Sequence, residues 1–177
     1  EAREMLQMRA TAVASVRNSL TTRGFVEVET PMLQAIHGGA NARPFTTHIN
    51  VYDMELFLRI APELYLKRLL VGGIEKGFEI NRNFRNEGAD SSHNPEFTML
   101  EMYQAYGDYN SMRELTQQVI HEAALAVHGD LLVRHRDDEG NVSEYDISGD
   151  WPVIPINRGI SEALGEELTA DTEADQL

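Results

Sequence analysis

The feature that most constrains the fold is a polar loop between two apolar runs, within the segment RNEGADSSHNPEFTMLEMY at residues 85–103. The runs at 77–84 and 97–106 flank a loop that contains a glycine, and this pattern predicts two strands joined as a hairpin. Side chains alternate between the two faces of a strand. We therefore expect one face of the hairpin to carry a cation, carboxylates and aromatic rings together: Arg85, Glu87, Phe97, Met99, Glu101 and Tyr103.

The groups on this face suit a ligand that has both an anionic and a cationic end. Arg85 would hold phosphate or carboxylate oxygens through a planar fork of donors, and it stays charged at any relevant pH. Glu101 and Tyr103 would offer a carboxylate and a hydroxyl to one group, and a primary ammonium fits that pair. Phe97 could stack on a flat base, a contact that contributes roughly 1–3 kcal/mol per base in nucleic-acid complexes. On pattern alone, the alternative is a solvated loop next to ordinary core residues.

The order RNEG, HNPEFT and E-x-Y in this segment resembles motif 2 of the class II aminoacyl-tRNA synthetases, in the form found in lysyl-tRNA synthetases. GFVEVETPML at 24–33 resembles motif 1, which forms the dimer interface in that family. HGGANARPFTTH at 37–48 and LRIAPELYLKRLLVGG at 58–73 are similar to the substrate loop of the lysyl enzymes and the helix that follows it. The resemblance covers most of residues 9–128.

The resemblance implies an α+β fold, with an antiparallel sheet flanked by helices, as in the class II aminoacyl-tRNA synthetase catalytic core. Motif 1 would span about 9–33 and motif 2 about 78–106, within one domain over 1–177. Apolar residues recur at helical spacing before Gly24, which predicts a helix leading into motif 1. Because this helix starts the chain, we expect no OB-fold anticodon domain.

The resemblance also implies which residues bind ATP. Arg85 would contact the α-phosphate and the lysine carboxylate, and it would stabilise the charge that develops as the carboxylate attacks phosphorus. Glu87 would receive the adenine or ribose, and Phe97 would stack on adenine. His93 and Asn94 would reach toward the phosphates. A solvated turn is the alternative for the loop residues.

The lysine contacts implied by the resemblance lie at two places in the chain. Glu101 and Tyr103 would grip the side-chain ammonium, whereas Glu63 and the backbone of Gly39 would hold the α-amine. Without the resemblance, Glu63 after Pro62 is better explained as a carboxylate favoured in the first turn of a helix.

The sequence departs from the lysyl pattern at two places. Ser92 precedes the loop histidine where many lysyl enzymes carry an arginine, so phosphate affinity is expected to be lower or supplied elsewhere. Nothing after Tyr109 matches the third class II motif, a glycine-rich strand and helix whose arginine closes the ATP site. The carboxylates that bind magnesium precede that motif in the lysyl enzymes. We therefore predict no metal site here, and we interpret the chain as an incomplete catalytic core.

The composition limits the partners. The 15 Lys and Arg residues against 29 Asp and Glu give a net charge of −14. Surfaces that bind nucleic acid carry positive charge, so this chain alone is expected to bind tRNA poorly. Zero cysteines exclude disulfides, and the six histidines lack zinc-site spacing. With no apolar run of about 18 residues and no signal peptide, we expect a cytoplasmic location and no membrane contact by this segment.

The residues after motif 2 are expected to form supporting helices and strands and not part of the site. Apolar residues at helical spacing predict a helix over 111–127, capped by Asn110 or Ser111. Alternating residues predict a second hairpin between 131 and 147. The prolines of 151–156 suit an edge segment.

The resemblance implies a parent enzyme that activates L-lysine with ATP and Mg²⁺, releases pyrophosphate and transfers lysine to tRNA(Lys), as a homodimer through motif 1. This chain alone is expected to be inactive. One alternative is a ligase that lysylates a protein, as the relatives that modify elongation factor P do. Another is a non-catalytic paralogue that binds lysine or a nucleotide, or dimerises. EMYQAYGDY at 101–109 and GDWPVIPI at 149–156 also resemble actinobacterial forms fused to a membrane lysyl-phosphatidylglycerol transferase.

Overall fold

The computed structural model describes residues 2–137 and 139–172. Residues 1, 138 and 173–177 of the predicted domain lie outside the described residues. The chain divides after Gly129 into two compact units. In chain order the first unit contains α1 (Ala2–Thr22), β1 (Val26–Glu27), β2 (Leu33–Gln34), β3 (Thr46–Ile49), β4 (Met54–Leu58), α2 (Glu63–Val71), β5 (Lys76–Phe84), β6 (Glu96–Gln104) and α3 (Tyr109–His128). The second unit contains β7 (Leu132–Arg136), β8 (Val142–Asp146) and α4 (Ile156–Leu164).

The helix predicted before motif 1 is confirmed as α1. Gly24 ends it with a backbone φ of +83°, a conformation that side chains with a Cβ rarely adopt. The chain then turns back at once, since the amide of Phe25 donates to the carbonyl of Leu20 at 3.1 Å. This turn buries both Leu20 and Phe25 and leads into β1.

The predicted hairpin is confirmed as β5 and β6, and the α+β fold class is confirmed with it. The two strands pair antiparallel from Lys76 opposite Gln104 to Phe84 opposite Glu96, and β1 adds to β5 in parallel. A second sheet has the strand order β2, β4, β3, with antiparallel pairs throughout. Pro62 precedes the first turn of α2 and Leu66 anchors this helix with no exposed surface.

The two faces of the β5–β6 hairpin have opposite characters. One face packs on the core, where Phe78 is fully buried. It belongs to one cluster with Leu20 of α1, Phe25 of the turn after α1, and Leu115 and Val119 of α3. Burying a side chain of this size contributes roughly 1.5–3 kcal/mol. The opposite face, which we call the site face, carries polar and aromatic side chains: Glu79, Asn83, Phe97, Glu101 and Tyr103.

The start of α3 differs from the prediction. Asp108, rather than Asn110 or Ser111, is the N-cap, because its carboxylate accepts from the amide of Ser111 at 2.9 Å. The Ser111 hydroxyl returns a bond to the Asp108 amide, which completes a capping box. Only Ser111 of this reciprocal pair was in the predicted cap, and the capping carboxylate of Asp108 lies three residues earlier.

The second unit confirms the second hairpin, with β7 and β8 paired from Leu132 opposite Asp146 to Arg136 opposite Val142. Residues 151–155 of the predicted edge segment form no strand, and α4 begins at Ile156. Pro152 and Pro155 lack the amide hydrogen that a strand ladder requires. Instead, the indole of Trp151 donates to the carbonyl of Ile147 at 3.3 Å.

Candidate functional site

A cavity of about 290 Å³ opens where the β5–β6 hairpin meets its loop, and we call it the nucleotide end of the site. Its lining contains all five residues that the resemblance assigned to ATP, together with two loop residues: Arg85, Glu87, Gly88, Ser92, His93, Asn94 and Phe97. The guanidinium carbon of Arg85 lies 5.2 Å from the centre of the Phe97 ring, within cation–π range. The cavity is therefore lined by a fixed cation, an aromatic ring and loop donors.

Three buried side-chain atoms lack a hydrogen-bond partner within the described part of the chain, in Arg85, which lines this cavity, and in Asn83, which lies opposite Phe97 in the hairpin. They are the buried Nε of Arg85 and the amide of Asn83, whose side chain is 1% exposed. Buried polar groups in native proteins nearly always have a partner. Groups of this kind fit a site that receives a polar ligand.

Backbone bonds hold Arg85 and Glu87 in place, although both lie beyond the strand. The strand β5 ends at Phe84, so the prediction that the two residues share a strand face is wrong. The amide of Arg85 donates to the carbonyl of Pro95 at 2.8 Å, across the base of the loop. The amide of Arg43 donates to the Glu87 carboxylate at 3.1 Å. This second bond ties the 37–48 segment to the nucleotide end.

The loop histidine is oriented by Asp90. The Asp90 carboxylate accepts from the amides of Ser92 and His93 at 2.7 and 2.8 Å, and it contacts Nδ1 of His93 at 2.9 Å. The Ser92 amide and the His93 ring hold the pKa of Asp90 below its usual value. Because Nδ1 is engaged, Nε2 of His93 is the ring atom left to face a ligand.

The other end of the site face, which we call the amine end, is acidic. The hydroxyl of Tyr103 donates to the Glu101 carboxylate at 3.0 Å, so the predicted pair lies together on one face. Burial raises the pKa of Glu101, and the charges of Glu63 and Glu79 act in the same direction. Burial and the charge of Glu101 also raise the pKa of Tyr103. A cation bound here would relieve this accumulation of negative charge.

Gly39 and Glu63 also come together as the resemblance implied. Gly39 has φ +88°, and a Cβ at this position would lie 2.8 Å from Cβ of Glu63 and 3.3 Å from Cβ of Ala61. Glycine is thus required for both conformation and space. The Glu63 carboxylate accepts from Nζ of Lys67 at 2.6 Å, one turn along α2.

A buried ion pair behind the amine end was missed by the sequence reasoning. Arg59 and Glu79 are each 1% exposed, and Nη1 of Arg59 lies 2.7 Å from Oε1 of Glu79. The hydroxyl of Thr30 donates to the other oxygen of Glu79 at 2.6 Å. Glu79 lies within β5 and Arg59 directly follows β4, and a buried charge needs a partner, but no local pattern indicates which residue that partner is.

Neither a metal centre nor a membrane helix is found among the described residues. No three or more His, Asp or Glu side chains there lie close enough to hold a metal ion. None of the helices in residues 2–137 and 139–172 is long and apolar enough to cross a membrane.

Comparison with known proteins gives matches along nearly the whole chain. The family model of class II tRNA synthetases (D, K and N) matches residues 1–176. The chain is 59% identical to the lysylphosphatidylglycerol biosynthesis bifunctional protein LysX of Gordonia bronchialis, over 99% of this chain and 15% of that protein. It is 54% identical to the protein of the same name from Nocardia farcinica, over 100% of this chain and 16% of that protein.

A further relative carries a different name. The lysine–tRNA ligase of Kineococcus radiotolerans is 55% identical over 99% of this chain and 34% of that ligase. The chain thus spans about a sixth of the LysX proteins and a third of the ligase. On its sequence match and its α+β architecture, the chain belongs to the class II tRNA synthetases of the D, K and N group.

Proposed function

We propose that the protein carrying this chain is a lysine–tRNA ligase, which activates L-lysine with ATP and transfers it to tRNA(Lys). The observation that carries the proposal is the site face, where Arg85 lies over Phe97 at one end and Tyr103 bonds Glu101 at the other. Free lysine matches this arrangement, because its carboxylate is anionic and both its amines are cationic at neutral pH. The name of the Kineococcus relative, a lysine–tRNA ligase, supports the same assignment.

ATP would bind at the nucleotide end. Adenine would stack on Phe97, a contact of roughly 1–3 kcal/mol, and Glu87 would receive the adenine or ribose. His93 and Asn94 line the same cavity and would reach the phosphates. The unpartnered Nε of Arg85 supplies a donor for an α-phosphate or carboxylate oxygen.

Lysine would bind at the amine end with both ammonium groups facing carboxylates. Glu101, with Tyr103, would hold the side-chain ammonium. Glu63 and the backbone of Gly39 would hold the α-amine. The bond from Lys67 to Glu63 joins side chains that are 58% and 30% exposed, and such i,i+4 pairs contribute only about 0.3–0.5 kcal/mol. The substrate amine can therefore replace Lys67 at little cost.

Positioning and electrostatics would supply the catalysis. An oxygen of the lysine carboxylate attacks the α-phosphorus, and pyrophosphate leaves with its electron pair. No side chain has to remove a proton, because the carboxylate is already ionised. Arg85 would touch both reacting groups and stabilise the negative charge that develops between them.

Magnesium would neutralise phosphate charge when bound with ATP. The described residues do not fit a magnesium site, since no three metal-binding side chains converge among them. The described residues therefore contribute to catalysis through Arg85 and its neighbours. The metal ligands are expected in the part of the protein before the third motif.

The proposed protein is a homodimer through motif 1. Large apolar side chains are exposed along α1 and the following segment, with Met5 at 65%, Leu6 at 69% and Ile36 at 74% exposure. Exposed apolar surface of this kind is typical of an interface. We propose that the reaction takes place in the cytoplasm, where ATP and tRNA are both present.

A second candidate is the synthetase portion of a bifunctional protein. It is favoured by the 59% identity to a LysX protein over nearly the whole chain. In that case lysyl-tRNA would be the intermediate for lysylphosphatidylglycerol synthesis, the process for which that relative is named. The site residues and the first reaction would be the same as in the ligase.

Lysine-dependent exchange of pyrophosphate into ATP tests the proposal, on this chain and on a form extended through the third motif. Exchange in the extended form alone is expected. Exchange in neither, with lysine or ATP still bound, would favour the non-catalytic paralogue. Exchange followed by lysylation of a protein but not of tRNA would favour the relatives that modify elongation factor P.

A further inference from the structure

Glu79 and Glu101 lie directly opposite each other on β5 and β6. Side chains of such a pair point to the same face, with Cβ atoms about 5 Å apart, and like charges in this position destabilise a sheet. The tendency of Glu79 to raise the pKa of Glu101 is consistent with this proximity. The site face thus contains two adjacent carboxylates that could each attract a cation.

The two carboxylates have different surroundings within the described chain. Glu79 is 1% exposed and accepts from Arg59 at 2.7 Å, from Thr30 at 2.6 Å and from Asn81 at 3.2 Å. Glu101 is only half-buried, and Tyr103 is its hydrogen-bond donor. Glu79 is therefore fully engaged, whereas Glu101 still has capacity to accept.

The hydrogen bonds of Arg59 orient its guanidinium toward Glu79. Its Nε donates to the carbonyl of Arg82 at 2.8 Å, and its Nη1 also donates to the Thr30 hydroxyl at 3.0 Å. Its backbone is fixed on both sides, by the carbonyl of Met32 and the amide of Phe84. The guanidinium cannot turn to Glu101 without losing these bonds.

We propose that Arg59 and Glu79 are positioning residues for the substrate amine: Arg59 neutralises one of two facing carboxylates, so that Glu101 alone receives the side-chain ammonium of lysine. This inference rests on the proposed function, because it assigns the cation at Glu101 to lysine. Neither residue touches the substrate. They set where the single net negative charge on this part of the site face is located.

The charge balance gives a direct test in the full-length protein that carries this segment. Glu79→Gln keeps the size of the side chain but leaves the Arg59 charge uncompensated next to Glu101. The KM for lysine is expected to rise about tenfold, as one unit charge at this range would cause, while the KM for ATP stays within twofold. Arg59→Gln/Glu79→Gln removes both charges, and the KM for lysine is expected to return to within about threefold of the parent.

A purely structural pair would behave differently. Losing both partners would then leave the KM for lysine at least as high as in Glu79→Gln, and that result, or an unchanged KM in Glu79→Gln, overturns the proposal. If the single variant does not fold, a KM for lysine above the threefold limit in the double variant still overturns the proposal. Glu101→Gln separates a failure of this inference from a failure of the proposed function. An unchanged KM for lysine in that variant contradicts the proposed function itself.

Discussion

The guanidinium of Arg85 stacks over the ring of Phe97, with 5.2 Å between the guanidinium carbon and the ring centre. The stack joins the end of one hairpin strand to the beginning of the other. It restrains the guanidinium before a ligand arrives, and a restrained donor needs little reorganisation in the reaction.

Replacing Arg85 by lysine should therefore lower the rate of lysyl-adenylate formation by about 100-fold or more, as for loss of a preorganised donor in other enzymes. Lysine keeps the charge but loses the planar fork and the stack. Pyrophosphate exchange measures the rate. The matched control is Arg82→Lys, because Arg82 is half exposed on the opposite face, where it pairs with Glu96 at 3.5 Å. An equal loss in both variants would contradict the role of Arg85.

Substituting Gly39 should act on lysine binding through Glu63. An alanine Cβ there would lie 2.8 Å from Cβ of Glu63, so α2 or the loop must shift. Small displacements of binding groups are costly, and the KM for lysine should rise about tenfold or more. Gly73→Ala is the control, since Gly73 has φ +99° but no atom within 4 Å of its added Cβ. Both variants should lose roughly 1–2 kcal/mol of stability from backbone strain, but only Gly39→Ala should lose lysine affinity.

The affinity for lysine should depend on pH through Glu101. Burial raises the pKa of this carboxyl, and only the ionised form attracts an ammonium. Above the raised pKa the affinity is full. As the pH falls through it, Glu101 takes up a proton and the dissociation constant should rise, approaching about tenfold per pH unit. Calorimetric titration with lysine across this range measures the change. The slope should disappear in Glu101→Gln, and a slope that persists there would assign the titration to another group.

The dimer interface can be tested on α1. Adding charge with Met5→Glu and Leu6→Glu should convert a dimer into a monomer, because both side chains are exposed and apolar in one chain and a buried, unpaired charge is strongly unfavourable. Mass measured by light scattering during gel filtration reports the change. Val71→Glu, at a residue that is 92% exposed on α2, should leave the dimer intact. A parent chain that is already monomeric would remove the basis for this interface.

Local patterns were sufficient for much of the fold and of the candidate site. The two-residue period of a strand placed Glu101 and Tyr103 on one face, and the 3.0 Å bond between their side chains confirms it. Gly24 marked the end of α1. The placement of Gly39 beside Glu63 came from the family resemblance, because no local pattern connects residues 24 positions apart.

Other features depend on contacts between distant parts of the chain. Arg59 meets Thr30 and Glu79 across 29 and 20 residues, so no periodicity could reveal their ion pair. The cap of α3 was misplaced because several polar residues precede the helix, and only the backbone geometry selects Asp108. The segment at 151–155 forms no strand because its prolines cannot donate to a ladder.

The opposite characters of the two hairpin faces have a practical consequence for any set of variants. On both strands the apolar residues with even numbers, such as Phe78 and Met102, support the core, while residues with odd numbers, such as Glu79 and Glu101, lie on the site face. A scan of 76–104 that skips the loop should therefore separate into two interleaved series. Melting temperature should respond to the apolar members of the even series, such as Phe78, and substrate binding to Glu101 and Tyr103 of the odd series, whereas changes at the buried Glu79 and Asn83 should affect both.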